Sequence, residues 1–222
     1  MSIKSLTMVA AASLALCAGA AQAANGFANG GFETAGATTP AESWLQAASG
    51  YSRTSAEAHS GSFSALLKSP AFNAAVMLQN SIEQGGLPPL TAGDTPSLSF
   101  WAKGFAGTTG NVLFALRYLN GTGTILANSG NQFFQGAINP SGWSEITYSL
   151  GAVPSGATAA FIEFSQAMGP IEPNNGLFAG AVYIDDINLA VAAVPEPETY
   201  AMMLAGLAAI GAVVRRRRSP SV

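Results

Sequence analysis

Glycine and proline are spread along the whole chain, and they limit it to short elements of secondary structure. The sequence has 25 Gly and 12 Pro among 222 residues, so that about one residue in six is one of the two. Glycine weakens the interior of a helix and proline breaks it, whereas both are common in the tight turns between strands. This distribution excludes a helical bundle and favours many short strands joined by turns.

Runs of strand-forming residues lie between these turns. The run 112–119 is followed by Asn120-Gly121 and by a second run, 124–127, which is the pattern of a β-hairpin. Six further runs of this kind are 62–68, 74–82, 97–103, 143–150, 159–166 and 181–191. We therefore predict an all-β protein built as an antiparallel sandwich.

Alternation within two of these runs predicts which side chains face the core. In 159–166 the residues on one face are Ala160, Ile162 and Phe164, and those on the other are Phe161, Glu163 and Ser165. This alternation is expected of an outer strand with one buried face. In 97–103 the same reasoning leaves Trp101 on the face opposite Leu98, Phe100 and Ala102.

Charged residues are few, and the central part of the chain is acidic. Only 9% of the residues are charged, and residues 24–198 contain all 12 acidic side chains but only four basic ones, a net charge of −8. No basic patch is available for phosphate groups, so we expect no nucleic-acid partner. The negative charge favours solubility and repels anionic polymers.

Residues 1–23 have the features of a signal peptide. Lys4 precedes an apolar run from Leu6 to Ala20, and small residues at Ala21 and Ala23 flank the expected site of signal peptidase. We therefore predict secretion and a mature chain that begins at Ala24. Lipidation at Cys17, the only cysteine, is the alternative, but the large Leu16 stands where a lipoprotein requires a small residue.

The C-terminal segment combines a short apolar run with a cluster of arginines. Ala201 to Val214 are apolar or small, and Arg215, Arg216, Arg217 and Arg218 follow at once. Fourteen helical residues rise about 21 Å, less than the roughly 30 Å of the hydrocarbon layer, so a transmembrane helix over about 200–214 is a weak anchor. The arginines place the C-terminus in the cytoplasm and the preceding chain outside the inner membrane.

The sequence Pro195-Glu196-Pro197 stands directly before this apolar run. The order Pro-Glu-Pro, apolar helix and arginine cluster closely resembles the PEP-CTERM sorting tail of Gram-negative bacteria, and the resemblance covers residues 194–220. It implies that exosortase, a membrane transpeptidase, recognises the tail, cuts near Pro-Glu-Pro and directs the protein to the cell surface or exopolysaccharide matrix. A plain anchor with a proline-rich stalk is the alternative.

The remaining residues, 24–193, are enough for one domain with a substantial core. Their landmarks are Asn29-Gly30-Gly31-Phe32-Glu33, Trp44, His59-Ser60-Gly61-Ser62, Leu98 to Lys103, Trp143 and Val182 to Leu189. Their order resembles that of jelly-roll carbohydrate-binding modules and galactose-binding-like domains. The resemblance implies a jelly-roll β-sandwich in which Trp44 and Trp143 pack inside.

The same resemblance implies a structural calcium ion. In such modules the N-terminal Phe-Glu and the C-terminal Asp-Asp strand hold the ion together with carbonyl groups near the Ser-Gly turn. The implied ligands here are Glu33 and Asp185 or Asp186, with backbone carbonyls around Ser60 to Ser62. Asp185 and Asp186 point to opposite faces of a regular strand, so both bind the ion only if the strand is kinked or bulged, and Asp186 is the favoured one of the two. Carboxylates that only flank a solvated strand end or cap a turn are the alternative.

Aromatic side chains are the candidates for sugar binding, because a flat ring stacks on the apolar face of a pyranose. The candidate ligand-binding residues are Trp101, Tyr51, Tyr118, Phe134 and the adjacent Phe133. Burial in the core is the alternative for each of them.

Evidence for catalysis is weak. His59 is the only histidine and lies in a Ser-Gly turn without a nucleophile motif, so we expect a solvated turn residue. Glu145 and Glu163 form a possible carboxylate pair for glycoside hydrolysis, but any acidic domain offers such pairs. We expect a non-enzymatic surface or matrix protein that binds or organises exopolysaccharide. A purely structural biofilm protein is the alternative, and a glycoside hydrolase is a more distant one.

The predicted orientation can be measured with a reporter enzyme fused after Ala192. We expect activity only from a reporter that functions outside the inner membrane, because the arginine cluster retains the other end of the chain in the cytoplasm. A reporter that is active in the cytoplasm would contradict the orientation.

Overall fold

The computed structural model describes residues 26–69, 74–87, 90–104, 110–139, 141–167, 181–191 and 206–207. The chain divides into two units, residues 1–192 and residues 193–222, and the strands lie in the first. They are β1 (Leu45–Ala48), β2 (Tyr51–Thr54), β3 (Ser64–Lys68), β4 (Ala75–Asn80), β5 (Ser97–Gly104), β6 (Asn111–Leu119), β7 (Ile125–Asn128), β8 (Gln132–Phe133), β9 (Ser144–Ser149), β10 (Ala159–Ala167) and β11 (Ala181–Ala190). Helix α1 spans Ser81–Gln84, and a 3-10 helix spans Gln135–Ala137.

The strands form two antiparallel sheets. The six-stranded sheet has the order β1-β4-β10-β6-β7, with β8 also paired to β6, and the five-stranded sheet has the order β2-β3-β11-β5-β9. The body is an antiparallel jelly-roll β-sandwich, which confirms the predicted fold class. All eight predicted runs are strands, and the hairpin at Asn120-Gly121 joins β6 to β7. The short strands β1, β2 and β8 were not predicted.

Alternating side chains explain why these segments pair. In β5, Leu98, Phe100 and Ala102 are fully buried, and in β10, Ala160, Ile162 and Phe164 are fully buried. These are the apolar faces predicted from the sequence. However, β10 lies between β4 and β6 and is not an outer strand. Its outward face is half-buried because neighbouring strands flank it on both sides.

Aromatic rings from both sheets meet in the centre of the core. Phe100 of β5 contacts Phe134 and Phe164 edge to face, each with the ring centroids 5.0 Å apart. Phe114 of β6 lies 5.8 Å from Phe100. Edge-to-face packing of this kind adds about 0.5–1.5 kcal/mol per pair to the free energy gained by burial.

The N-terminal segment 26–44 packs on the sandwich without forming a strand. Its rings Phe27 and Phe32 contact Trp44, which is fully buried and whose Nε1–H donates to the Asn29 carbonyl over 3.0 Å. The backbone at Gly30 approaches the Ile187 carbonyl so closely that a Cβ atom there would lie 2.1 Å from its oxygen. The segment is therefore an integral part of the core.

Replacing Trp44 with Ala tests this role. We expect the free energy of unfolding to fall by about 3–5 kcal/mol, because the variant leaves a large cavity beneath the N-terminal segment. Phe133→Ala is a suitable control, since the Phe133 side chain is 54% exposed and its loss is expected to cost less than about 1 kcal/mol. Equal denaturation midpoints in urea for the two variants would contradict this account.

Candidate functional site

Two carboxylates hold the turn at residues 59–63 from opposite sides. Glu33 Oε1 accepts the backbone N–H groups of Ser62 and Phe63 at 2.9 and 3.0 Å. Asp185 Oδ2 accepts those of His59 and Ser60 at 2.8 and 3.3 Å. The turn links β2 to β3, so the two carboxylates connect it both to the N-terminal segment and to β11. We call Glu33 and Asp185 the carboxylate clamp.

A β-bulge in β11 places Asp186 beside the same turn. The register of β11 against β5 shifts between Asp185 and Asn188, and Asp186 has a left-handed backbone with φ 49°. Its carboxylate accepts a hydrogen bond from Ser60 Oγ and lies 2.7 Å from His59 Nδ1. Both aspartates of a strand can reach one site only if the strand is bulged, and β11 has this bulge.

Burial changes the electrostatics of Asp185. The side chain is fully buried, and this burial raises the pKa of its carboxyl from 3.8 to about 6. The N–H donors of His59, Asp186 and Ser60 oppose the rise in pKa, while the charge of Asp186 adds to it. Ionised Asp185 is therefore costly for the fold despite its hydrogen bonds.

The arrangement gives calcium no ready-made ligand shell. Within the described ranges, no group of three or more His, Cys, Asp or Glu side chains converges on a metal position. One oxygen of Glu33 and both oxygens of Asp185 already accept backbone N–H groups. Calcium binding by Glu33, Asp185 and Asp186 stays a prediction of the sequence.

His59 is not the solvated turn residue that we expected. Its ring stacks on Trp101 with the centroids 3.7 Å apart and the planes 10° apart, and its side chain is only 27% exposed. Trp143 meets His59 edge to face at 5.8 Å and lies 6.4 Å from Tyr183. Trp143 is thus half-buried on the outer face of the five-stranded sheet and does not pack inside, which corrects that expectation.

Most of the predicted sugar-binding rings belong to the core. Tyr51, Tyr118 and Phe134 are 4%, 5% and 2% exposed, so none of them offers a ring face to a ligand. This placement corrects their assignment as ligand-binding residues. Trp101 is half-buried at the surface as predicted, but His59 covers one of its faces.

The outer face of the six-stranded sheet forms a second surface that sequence reasoning missed. The strand register places Asn80, Phe161, Arg117 and Asn128 in one row across β4, β10, β6 and β7. The next row along β10 contains Glu163, opposite Leu78 and Ala115. The alternation of Phe161 and Glu163 in the sequence was the available signal, but it did not show which strands would lie beside β10.

Arg117 organises the centre of this surface. Its guanidinium carbon lies 4.9 Å from the centroid of the Phe161 ring, and both of its terminal nitrogens are 3.4 Å from Glu163 Oε2. Arg117 and Glu163 are about one-quarter exposed. We call Phe161, Arg117, Asn80 and Asn128, together with Glu163 of the adjacent row, the outer polar row. It combines an aromatic ring with donors and acceptors held in fixed positions.

Glu145 and Glu163 do not form a carboxylate pair. Glu145 lies opposite Trp101 on the outer face of the five-stranded sheet, whereas Glu163 lies on the outer face of the other sheet. The core separates them, so the two carboxylates cannot flank one glycosidic bond.

The predicted signal peptide, residues 1–23, and nearly all of the predicted sorting tail, residues 194–220, lie outside the described residues. This includes Pro195, Glu196, Pro197 and the arginines 215–218. Among the residues that are described, no helix has the length and apolar character needed to span a membrane.

Residues 193–218 match the PEP-CTERM protein-sorting motif. This match confirms the identification made from Pro195-Glu196-Pro197, the apolar run and the arginine cluster. The motif implies export, processing by exosortase at the membrane and delivery to the cell surface. No curated protein matches the chain by sequence.

Several solved structures are similar to the body. The enzymatically active domain of tailspike protein 4 from bacteriophage CBA120 has a TM-score of 0.56 at 19% identity over 76% of this chain. The match covers only 21% of the tailspike chain, and at this identity it concerns the fold alone. The CBM22-1 xylan-binding domain of Xyn10C from Paenibacillus barcinonensis has a TM-score of 0.45 at 12% identity, over 71% of this chain and 90% of that chain. TmCBM61 in complex with β-1,4-galactotriose has a TM-score of 0.46 at 17% identity, over 75% of this chain and 98% of that chain.

The pKa of Asp185 predicts an unusual dependence of stability on pH. The folded-state pKa of Asp185, about 6, lies above the unfolded value of 3.8, so the ionised carboxylate destabilises the fold above pH 6. This destabilisation decreases as the pH falls from about 6 to about 3.8, because the carboxyl becomes protonated in the folded state. We expect the melting temperature of the protein, relative to that of Asp185→Asn, to rise as the pH is lowered from 7 to 5. Parallel curves for the two proteins would contradict the raised pKa.

The same melting experiment at pH 7 tests the calcium prediction. If an ion binds Glu33, Asp185 and Asp186, excess Ca²⁺ should raise the melting temperature by several degrees relative to EDTA. A free Ca²⁺ concentration ten times the dissociation constant adds about 1.4 kcal/mol to the free energy of unfolding. Identical curves would count against these residues as ligands.

Proposed function

We propose that the protein is an exported, non-catalytic component of the cell surface or extracellular matrix, and that it binds a neutral polysaccharide across the outer polar row. In this proposal the predicted transmembrane segment over about 200–214 retains the chain in the inner membrane, with the arginine cluster in the cytoplasm, until exosortase cuts near Pro195-Glu196-Pro197. The body then carries the binding surface outside the cell.

The observation that carries this proposal is the contact of Arg117 with both Phe161 and Glu163. A pyranose needs a flat apolar surface for its ring and paired donors and acceptors for its hydroxyl groups. Phe161, half-buried with Arg117 over one face of its ring, offers the first, and Arg117 with Glu163 of the adjacent row offers the second. Since the ion pair already fixes these side chains, a ligand orders few of them on binding.

The neighbouring amides support the same class of ligand. Asn80 and Asn128 stand at the two ends of the row, where their Oδ1 atoms accept the N–H groups of Ile82 and Gly130 and their amide nitrogens add hydrogen-bond donors. The body is acidic, so an anionic polysaccharide would be repelled unless cations bridged it. A neutral polymer avoids this repulsion.

The opposite sheet is less suited to this role. Its half-exposed rings, Trp101 and Trp143, contact His59, which occupies one face of Trp101 at 3.7 Å. A sugar stacked on that face would have to displace His59 from Asp186. We therefore assign the sugar to the six-stranded sheet.

Retention on immobilised polysaccharides tests the proposal. The probes are a panel of neutral polysaccharides and the exopolysaccharide of the producing cell, and the variants are Arg117→Ala and Lys68→Ala. We expect Arg117→Ala to weaken binding about tenfold or more, because it removes charge-assisted hydrogen bonds. Lys68→Ala removes the same charge from an exposed position at the end of β3, in the other sheet, and should leave retention unchanged.

Four outcomes would contradict the proposal. Equal losses in both variants would show that net charge and not the row determines retention. Loss of binding in Trp101→Ala, with Arg117→Ala unaffected, would place the sugar on the five-stranded sheet. No retention on any polymer would favour the purely structural matrix protein, and release of reducing ends from the panel would favour a hydrolase.

A further inference from the structure

One edge of the six-stranded sheet exposes large apolar side chains. Strand β7 pairs with β6 along one side, and among the described residues no strand pairs with its other side. Ile125 and Leu126 of β7 are 55% and 38% exposed. Ile82 of helix α1 is 43% exposed, and its Cδ1 atom lies 4.0 Å from the position of a Cβ atom built on Gly123, next to the start of β7.

The strand segment of this edge lacks charge, although helix α1 carries Glu83 next to Ile82. Residues 118–144, which include β7 and β8, contain no Asp, Glu, Lys, Arg or His, although residues 24–198 have a net charge of −8. Charged side chains are the usual protection of an edge strand against pairing with another chain. The β7 edge has none of this protection.

The other three sheet edges differ from it. Strand β2 carries Arg53, and β9 carries Glu145, so both edges of the five-stranded sheet are charged. Strand β1 is uncharged, but its exposed residues, Gln46 and Ala47, are polar or small. Within the described part of the chain, only β7 and the two-residue β8, which pairs with β6 beside it and carries the exposed Phe133, combine an open edge, no charge and large exposed apolar residues.

We propose that the β7 edge is a self-association surface, at which β7 of one molecule pairs antiparallel with β7 of a second copy. A two-fold axis presents the same edge twice, so the unpaired N–H and C=O groups of each strand find partners in the other. Ile125 and Leu126 of the two copies then bury part of their exposed surface together.

The charge distribution selects a second copy as the occupant. Two acidic bodies repel each other on most faces, and the repulsion is smallest where the neutral segments 118–144 approach. A charged partner would find no charged residue on β7 to attract it. This inference does not depend on sugar binding, but a dimer would carry two outer polar rows and so bind a polymer with greater avidity.

Sedimentation velocity of the full chain in a mild detergent tests the proposal over a range of protein concentrations. The test variant is Ile125→Lys with Leu126→Lys. The matched control is Gln46→Lys with Ala47→Lys, which adds the same two charges to exposed positions of β1 at the opposite edge of the same sheet. We expect a concentration-dependent dimer in the wild type and in the control, and a dissociation constant at least about tenfold higher in the test variant.

Thermal melts of both variants establish that they are folded. A chain that stays monomeric at all concentrations would overturn the proposal, as would a dimer that survives in the test variant or is lost equally in the control. If the test variant instead loses retention on polysaccharide without any change in sedimentation, the edge binds sugar and the proposal is wrong. If Arg117→Ala loses retention on polysaccharide but still forms the dimer, this result concerns the proposed function and not self-association.

Discussion

The carboxylate clamp around residues 59–63 joins parts of the chain that are far apart in sequence. Glu33 comes from the N-terminal segment, Asp185 from the last strand, and the turn between them from the β2–β3 connection. Each carboxylate oxygen that accepts two backbone N–H groups replaces the water that those groups lose on burial. Without this interaction, the N-terminal segment, whose Phe27 and Phe32 cover Trp44, would lose its connection to the turn.

The clamp contains a buried carboxylate, Asp185, whose ionisation costs free energy. Asp185 is fully buried, and Asp186 adds a second negative charge beside it. The bulge turns Asp186 toward His59 and Ser60, so that its charge is met by polar groups at the surface. The stack of His59 on Trp101 is part of this arrangement, and it is the reason for which we assign the proposed sugar site to the other sheet.

The six-stranded sheet has a different character, because no clamp covers its described outer surface. Arg117, Glu163 and Phe161 form a preorganised group there, and the neutral edge at β7 adjoins it. Binding and self-association would therefore use one sheet while the other maintains the fold. Such a division suits a matrix protein, since a molecule that binds a polymer and a second copy at the same time cross-links its surroundings.

Local patterns in the sequence were sufficient to predict the sorting tail, the all-β class and eight strand positions: Pro195-Glu196-Pro197 with its arginines, turn residues, and alternation such as that of Ala160, Ile162 and Phe164. The family resemblance also indicated Trp44 as a core residue. Which alternating faces are adjacent became visible only in the folded chain. Folding buried Tyr51, Tyr118 and Phe134, brought His59 onto Trp101, and set Arg117 beside Glu163, residues 46 positions apart. Contacts of this kind depend on strand order and register, which no short segment of sequence encodes.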